Sequence, residues 1–117
     1  NFAEVMNIIG SVEGKDVLLV DDMIDTGGTF VSVVTSLKER GAQNIYGAIS
    51  HPLLSGNAVE RIENSEITKL YVSDSIPLTK ETSKIEVRTA SELLAQAIIR
   101  SFNNESISSL FEINKDL

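Results

Sequence analysis

Val17-Leu18-Leu19-Val20-Asp21-Asp22-Met23-Ile24-Asp25-Thr26-Gly27-Gly28-Thr29 is the stretch that decides the fold. Its first four residues form a short apolar, β-rich run, bounded by Gly14-Lys15-Asp16 and by Asp21-Asp22. That is the pattern of a buried strand in a parallel sheet, and it reads as the central strand. From Thr29 onward the period changes: Phe30, Val33, Val34 and Leu37 fall at i, i+3, i+4 and i+7, and Gly41 follows as a C′ residue. Residues 20–29 therefore join the C-terminal end of a strand to the N-terminus of an amphipathic helix. In open α/β sheets that edge is where ligands bind.

Working outward, Asn44–Ser50 reads as another buried strand, ending near His51-Pro52 because proline has no N–H for the ladder. Strand, helix and strand make a βαβ unit with a right-handed crossover. Ser55 is placed to cap a short helix running to about Glu63, with Ala58, Val59 and Ile62 on one face. Ile67–Val72 reads as a third strand, ending at Ser73-Asp74-Ser75. Thr89-Ala90-Ser91-Glu92 has capping-box spacing ahead of Leu93, Leu94, Ala97, Ile98 and Phe102, which predicts a helix to about Phe102. Ile85-Glu86-Val87 is a candidate small strand, and Ala3–Ile9 another, with imperfect alternation. The pattern predicts an α/β fold with an open, mainly parallel sheet, and 117 residues suit one domain.

The formal net charge of −7 argues against a nucleic-acid surface, since phosphate-backbone affinity needs clustered Lys and Arg. Cysteine is absent, which excludes disulfides, thiolate zinc sites and cysteine nucleophiles. No apolar run is long enough to cross a bilayer, and Asn1–Gly10 lacks the basic and apolar regions of a signal peptide. A cytoplasmic protein without membrane attachment is expected. The Asn104-Glu105-Ser106 glycosylation pattern then reads only as a solvated helix end.

The chemistry concentrates in the loop. Gly27 and Gly28 open backbone angles closed to other residues and let N–H groups approach a ligand. Thr26 and Thr29 add hydroxyls, and the helix beginning there offers unpaired N–H groups and the positive end of its dipole. Together these make an anion cradle suited to a phosphate monoester. No Gly-Lys-Ser/Thr occurs, so a nucleotide P-loop is not expected. Asp21, Asp22 and Asp25 would repel a phosphate unless they face sugar hydroxyls or a divalent cation such as Mg²⁺. Asp25 is equally placed to cap the helix. A turn with an N-cap, and nothing more, is the plain alternative for the glycines alone.

The string from Val20 to Thr29 resembles the ribose-phosphate-binding motif of type I phosphoribosyltransferase folds, in the form used by ribose-phosphate pyrophosphokinases. Further segments look like that family in order and spacing: Glu4–Gly10, His51–Gly56, Ala58–Ile62, Val72–Pro77 and Ser106–Phe111. The resemblance runs from about Phe2 to Phe111 and implies a three-layer open sheet. It implies that Asp21 and Asp22 hold the ribose 2- and 3-hydroxyls and help organise Mg²⁺. It also implies that Asp25, Thr26, Gly27, Gly28 and Thr29 wrap the 5-phosphate of ribose 5-phosphate. The implied reaction is attack of the C1 hydroxyl on the β-phosphorus of ATP, with AMP leaving and catalysis resting on positioning and charge neutralisation.

The family's ATP-binding and catalytic-loop residues would precede Asn1, so the chain is expected to be the C-terminal domain, 1–117, of a longer enzyme that forms homo-oligomers. Alone it is expected to be inactive, with no catalytic residue of its own. Ser106, Ser108 and Phe111 match a segment that, in regulated members, contributes to an inter-subunit ADP/phosphate site; a solvating serine cluster is the plain alternative. Glu112–Leu117 match no pattern.

The remaining candidates are weaker. His51, the only histidine, reads as structural rather than as a general base, Arg61 as helix surface or interface, and Asp74 as a turn residue. Three rival readings share parts of the pattern: a salvage phosphoribosyltransferase, a catalytically silent pyrophosphokinase-like subunit, and a receiver domain with Asp74 as phosphoryl acceptor. The receiver lacks its later lysine strand, and it leaves Asp25–Thr29 unexplained.

Overall fold

The computed structural model describes residues 8–80 and 82–111. In order come β1 (Val17–Ile24), α1 (Gly28–Glu39), β2 (Ile45–Pro52), α2 (Ala58–Glu63), β3 (Lys69–Val72), β4 (Ile85–Val87) and α3 (Ser91–Phe102), then a 3-10 turn at Ser108–Phe111. The four strands make one parallel sheet in the order β1-β2-β3-β4. The α/β class and the parallel sheet are those expected from the sequence. The strand expected at Ala3–Ile9 falls almost wholly outside the described residues, and Ile8 and Ile9 themselves lie in no strand.

Two features of β1 differ from the sequence reading. Among the described strands β1 lies at an edge, not in the centre. It also continues past Val20 through the acidic pair, with Asp21 opposite Ile49, Met23 opposite His51 and Ile24 opposite Pro52. Aspartate is a poor strand former, but intrinsic β preference is weak against a ladder already set by a neighbour.

Parallel strands laid side by side in chain order, with right-handed crossovers, carry their helices on one face. Accordingly Val34 and Leu37 of α1 and Ile62 of α2 share a core with Ile45, Ile49, Leu70, Val72 and Ile85 of the sheet. The other face leaves Leu18 and Val20 exposed, and α3 contributes no buried side chain. Among the described residues, then, one face of the sheet carries a packed helical layer. Gly41, at φ +90°, ends α1 as predicted. Its N–H donates to Lys38 O at 3.0 Å and that of Ala42 to Leu37 O at 3.1 Å, the paired bonds of a Schellman turn.

The Ser55 cap and the capping box are not made, although the Thr89 hydroxyl accepts the N–H of Ser91, the first residue of α3, at 3.1 Å. Asn57, not Ser55, precedes α2, and the Ser55 hydroxyl donates instead to Asp25 Oδ1. At α3 the N-cap is Ala90 and no capping box forms. Asp74, from the end of β3, takes the Ala90 N–H at 3.0 Å and the Thr89 hydroxyl at 2.6 Å. Those two bonds, the N–H first, hold its carboxyl below the usual carboxylate range.

A parallel β3–β4 pair needs a crossover, and among its described residues there is no helix. Glu63, at the end of α2, ties that crossover down. Its carboxylate accepts from the Thr82 hydroxyl, from the Ser83 hydroxyl at 2.8 Å and from the Lys84 N–H at 2.9 Å. The Lys84 N–H, against a smaller opposing effect of burial and with help from Ser83, holds the Glu63 carboxyl below its ordinary value. A carboxyl depressed in the folded state stabilises the fold above its unfolded pKa, and that contribution is lost as pH falls through the folded pKa. Glu63→Gln should therefore lower the melting temperature at neutral pH by a few degrees, with the gap to the parent closing in acid. An equal gap at both pH values would attribute the loss to packing instead.

Candidate functional site

Leaving β1 at Ile24, the chain turns through Asp25-Thr26-Gly27 into α1, and the segment after β2 holds this turn from behind. Three successive carbonyls are taken: Ile24 O by the Leu54 N–H at 3.1 Å, Asp25 O by the Ser55 N–H at 2.8 Å, and Thr26 O by Arg61 Nη1 at 2.8 Å. No peptide is cis among the described residues. In a planar trans peptide the C=O and the following N–H point in opposite directions. The N–H groups of Asp25, Thr26 and Gly27 therefore face away from the anchoring segment. Among the described residues, no N–H of residues 25–29 donates to a protein atom.

Gly27 makes the turn possible. It is the residue ahead of α1, at φ +81° and ψ −5°, in the left-handed region that favours glycine. An added Cβ there would meet Ala58 only at 3.6 Å, so the requirement for glycine is conformational, not steric. Gly28 begins α1 outside that region, and its added Cβ would lie 3.8 Å from Arg61 Nη1. Of the two glycines, the turn demands only Gly27. Among the described residues no side chain caps α1, and no acidic residue lies in its first turn, so none of them compensates its N–H groups and dipole. Asp25, an alternative cap on sequence grounds, has its Oδ1 on the Ser55 hydroxyl instead.

The aspartates separate. Asp21 lines a cavity of about 450 Å³ together with Asp25, Thr26, Gly27, Thr29 and Phe30. Asp22 and Gly28 are not among the lining residues. Asp21 Oδ1 also accepts the Asp22 N–H at 2.8 Å. Among the described residues no three His, Cys, Asp or Glu side chains converge to hold a metal ion. Exposed Asp21 suits a largely hydrated Mg²⁺ that keeps waters and takes one or two carboxylates, and does not suit an all-protein cage.

The other sequence candidates lie elsewhere. His51 is exposed, with Nδ1 2.9 Å from Ser75 Oγ, which itself donates to Ser50 O at 3.0 Å. The contact ties the ring to the segment after β3, away from the 25–29 loop. Ser106 and Ser108 share a local turn, the Ser108 N–H donating to Ser106 Oγ at 3.1 Å, and Arg100 Nη1 donates to Ser106 O at 3.2 Å. Phe111 is 77% exposed. No hydrogen bond among the described residues joins this cluster to the 25–29 loop. The residue that sequence reading missed is Arg61, 35 positions from the carbonyl it holds, a contact that no local pattern announces.

Comparison with known proteins points to one family. The family model of the phosphoribosyl synthetase-associated domain matches residues 3–112. The ribose-phosphate pyrophosphokinase of Wolinella succinogenes is 50% identical over 111 residues, covering 95% of this chain and 36% of that protein. That of Chlorobaculum tepidum is 53% identical over 113 residues, covering 96% of this chain and 35% of the relative. The crystal structure of phosphoribosylpyrophosphate synthetase from Mycobacterium smegmatis superposes with a TM-score of 0.79 at 36% identity, over 82% of this chain and 33% of that one. The chain thus spans about a third of the length of these relatives.

Proposed function

The chain belongs to the phosphoribosyl synthetase-associated domain family, and from that membership we propose that it is the ribose 5-phosphate-binding, C-terminal portion of a ribose-phosphate pyrophosphokinase. The observation that carries this reading is the run of N–H groups over residues 25–29 without a partner among the described residues, those of residues 25–27 turned outward by three anchored carbonyls. Such a cradle is suited to a phosphate monoester at the start of a helix. Thr26 and Thr29 add hydroxyl donors beside it, and Asp21, on the same cavity, is placed to accept from a sugar hydroxyl.

In this reading ribose 5-phosphate sits with its phosphate on the loop and its hydroxyls toward Asp21, the member of the acidic pair that lines the same cavity. The C1 hydroxyl attacks the β-phosphorus of ATP, and AMP leaves. Mg²⁺, when bound, neutralises phosphate charge on the reacting nucleotide. This chain's own residues bind and orient the acceptor; they transfer no proton and form no covalent bond. The ATP-binding residues belong to the remainder of a homo-oligomeric cytoplasmic enzyme, and the chain alone is inactive. The exposed Ser106, Ser108 and Phe111 leave room for a regulatory ADP or phosphate site completed by another subunit. Among the described residues no helix is long and apolar enough to cross a membrane.

The test is the product. The full-length enzyme, given ribose 5-phosphate, ATP and Mg²⁺, is expected to release AMP and form phosphoribosyl pyrophosphate in equal amounts. Consumption of phosphoribosyl pyrophosphate with a base, and no AMP from ATP, would instead identify a salvage transferase; neither activity would identify a silent subunit.

A further inference from the structure

We propose that Arg61 is a positioning residue for the substrate phosphate, an inference that rests on the loop assignment above. Helix α2 carries its guanidinium behind the loop, where Nη1 donates to Thr26 O at 2.8 Å. The same nitrogen lies 3.8 Å from where a Cβ on Gly28 would stand, so the group abuts both the turn and the first residue of α1. Arg61 makes no ion pair among the described residues; the two ion pairs there are Lys80–Glu60 and Arg88–Glu86. Its neighbour Glu60 is already held by Lys80 at 2.7 Å. Arg61 is also the only cationic side chain hydrogen-bonded to residues 24–29 among the described residues.

Two consequences act in the same direction. Holding Thr26 O fixes the peptide whose N–H belongs to Gly27, and glycine, free at both signs of φ, would otherwise let that peptide turn. The anchors at Leu54 and Ser55 are backbone N–H groups; Arg61 supplies the one carbonyl anchor that a side chain carries. Its charge also offsets the repulsion that Asp21, Asp22 and Asp25 exert on an arriving phosphate. Arginine suits both tasks, since it stays charged and keeps further N–H donors after the one used here.

The test compares affinities for ribose 5-phosphate and for Mg·ATP in the full-length enzyme, by calorimetry, for the parent, Arg61→Gln, Arg61→Lys and Gly27→Val. Losing a charge-assisted bond and its charge should weaken ribose 5-phosphate binding about tenfold in Arg61→Gln. Affinity for Mg·ATP should not change, and Arg61→Lys should recover part of the loss. A loss shared equally by both ligands, or one that lysine does not reduce, marks a merely structural arginine and overturns the proposal. If the parent binds, Gly27→Val does not, and Arg61→Gln binds as the parent does, only the role of Arg61 falls. A parent that fails to bind, or a Gly27→Val that binds normally, removes the loop assignment and this inference with it. Should Arg61→Gln not fold, Arg61→Lys alone decides: about threefold weaker binding of ribose 5-phosphate only is expected, because an ammonium replaces the fork. Parent-like affinity, or equal losses for both ligands, would then overturn it.

Discussion

Gly27→Val is expected to weaken ribose 5-phosphate binding to the full-length enzyme by about a hundredfold or more, through the loss of two or more charge-assisted bonds of about 1.5–3 kcal/mol each. The cause is backbone conformation. Gly27 sits at φ +81°, where an L-residue costs about 1–2 kcal/mol and a β-branched one is a genuine outlier. To escape, the turn must rotate the peptides on either side of residue 27, and these carry the N–H groups of Gly27 and Gly28. On sequence alone Gly27 and Gly28 have the same role, opening the backbone to a ligand. The structure makes Gly28 the milder site, since it lies outside the left-handed region and its added Cβ meets only Arg61 Nη1 at 3.8 Å. Titration calorimetry on the two variants checks the order: the loss at Gly27 should exceed that at Gly28, and equal losses would mean that side-chain bulk, not φ, is what the site rejects.

Gly47→Val should produce the largest loss of stability, at least about 3 kcal/mol, because overpacking a filled core by a single group already costs about 1–3 kcal/mol. Gly47 is buried on β2, and an added Cβ would stand 2.5 Å from Leu70 Cδ1 and 3.0 Å from Phe30 Cζ. Leu70 is fully buried and has nowhere to retreat. Phe30 lies in the first turn of α1 and lines the site cavity, so displacing it also moves the N-terminus that forms the cradle. In thermal unfolding followed by circular dichroism, the valine variant should melt roughly 10 °C or more below the parent, with alanine between them. A valine variant melting with the parent would mean that α1 does not close on β2 at this point.

How much was legible in the sequence depended on the range of the contact. Periodicity identified Val34 and Leu37 of α1 and Ala58, Val59 and Ile62 of α2 as core residues, because burial of one helix face is written in spacing. Gly41 was legible for the same reason: a Schellman turn is local. The caps were not. Ser55 and Thr89 have the right spacing, yet their hydroxyls donate to Asp25 and Asp74, which the chain brings in from 30 and 15 residues away, and Thr89 reaches only the N–H of Ser91. Glu63 looked like the end of a helix and is the clamp on the β3–β4 crossover. At the site, the motif gave the loop but not its orientation. That the acidic pair lies on β1 follows from strand pairing with β2, and only the folded cavity, lined by Asp21 and not by Asp22, tells the two apart. Arg61 became visible only once α2 had been folded against the turn.

The central claim, that the N–H groups of residues 25–29 receive the 5-phosphate, is tested most directly by the amide resonances of those residues in the labelled full-length enzyme during a titration with ribose 5-phosphate. The account predicts saturable shifts confined largely to residues 25–29, while unphosphorylated ribose leaves them in place. Resonances of residues 25–29 that stay unmoved at millimolar ribose 5-phosphate, while the enzyme demonstrably binds it, would contradict the account.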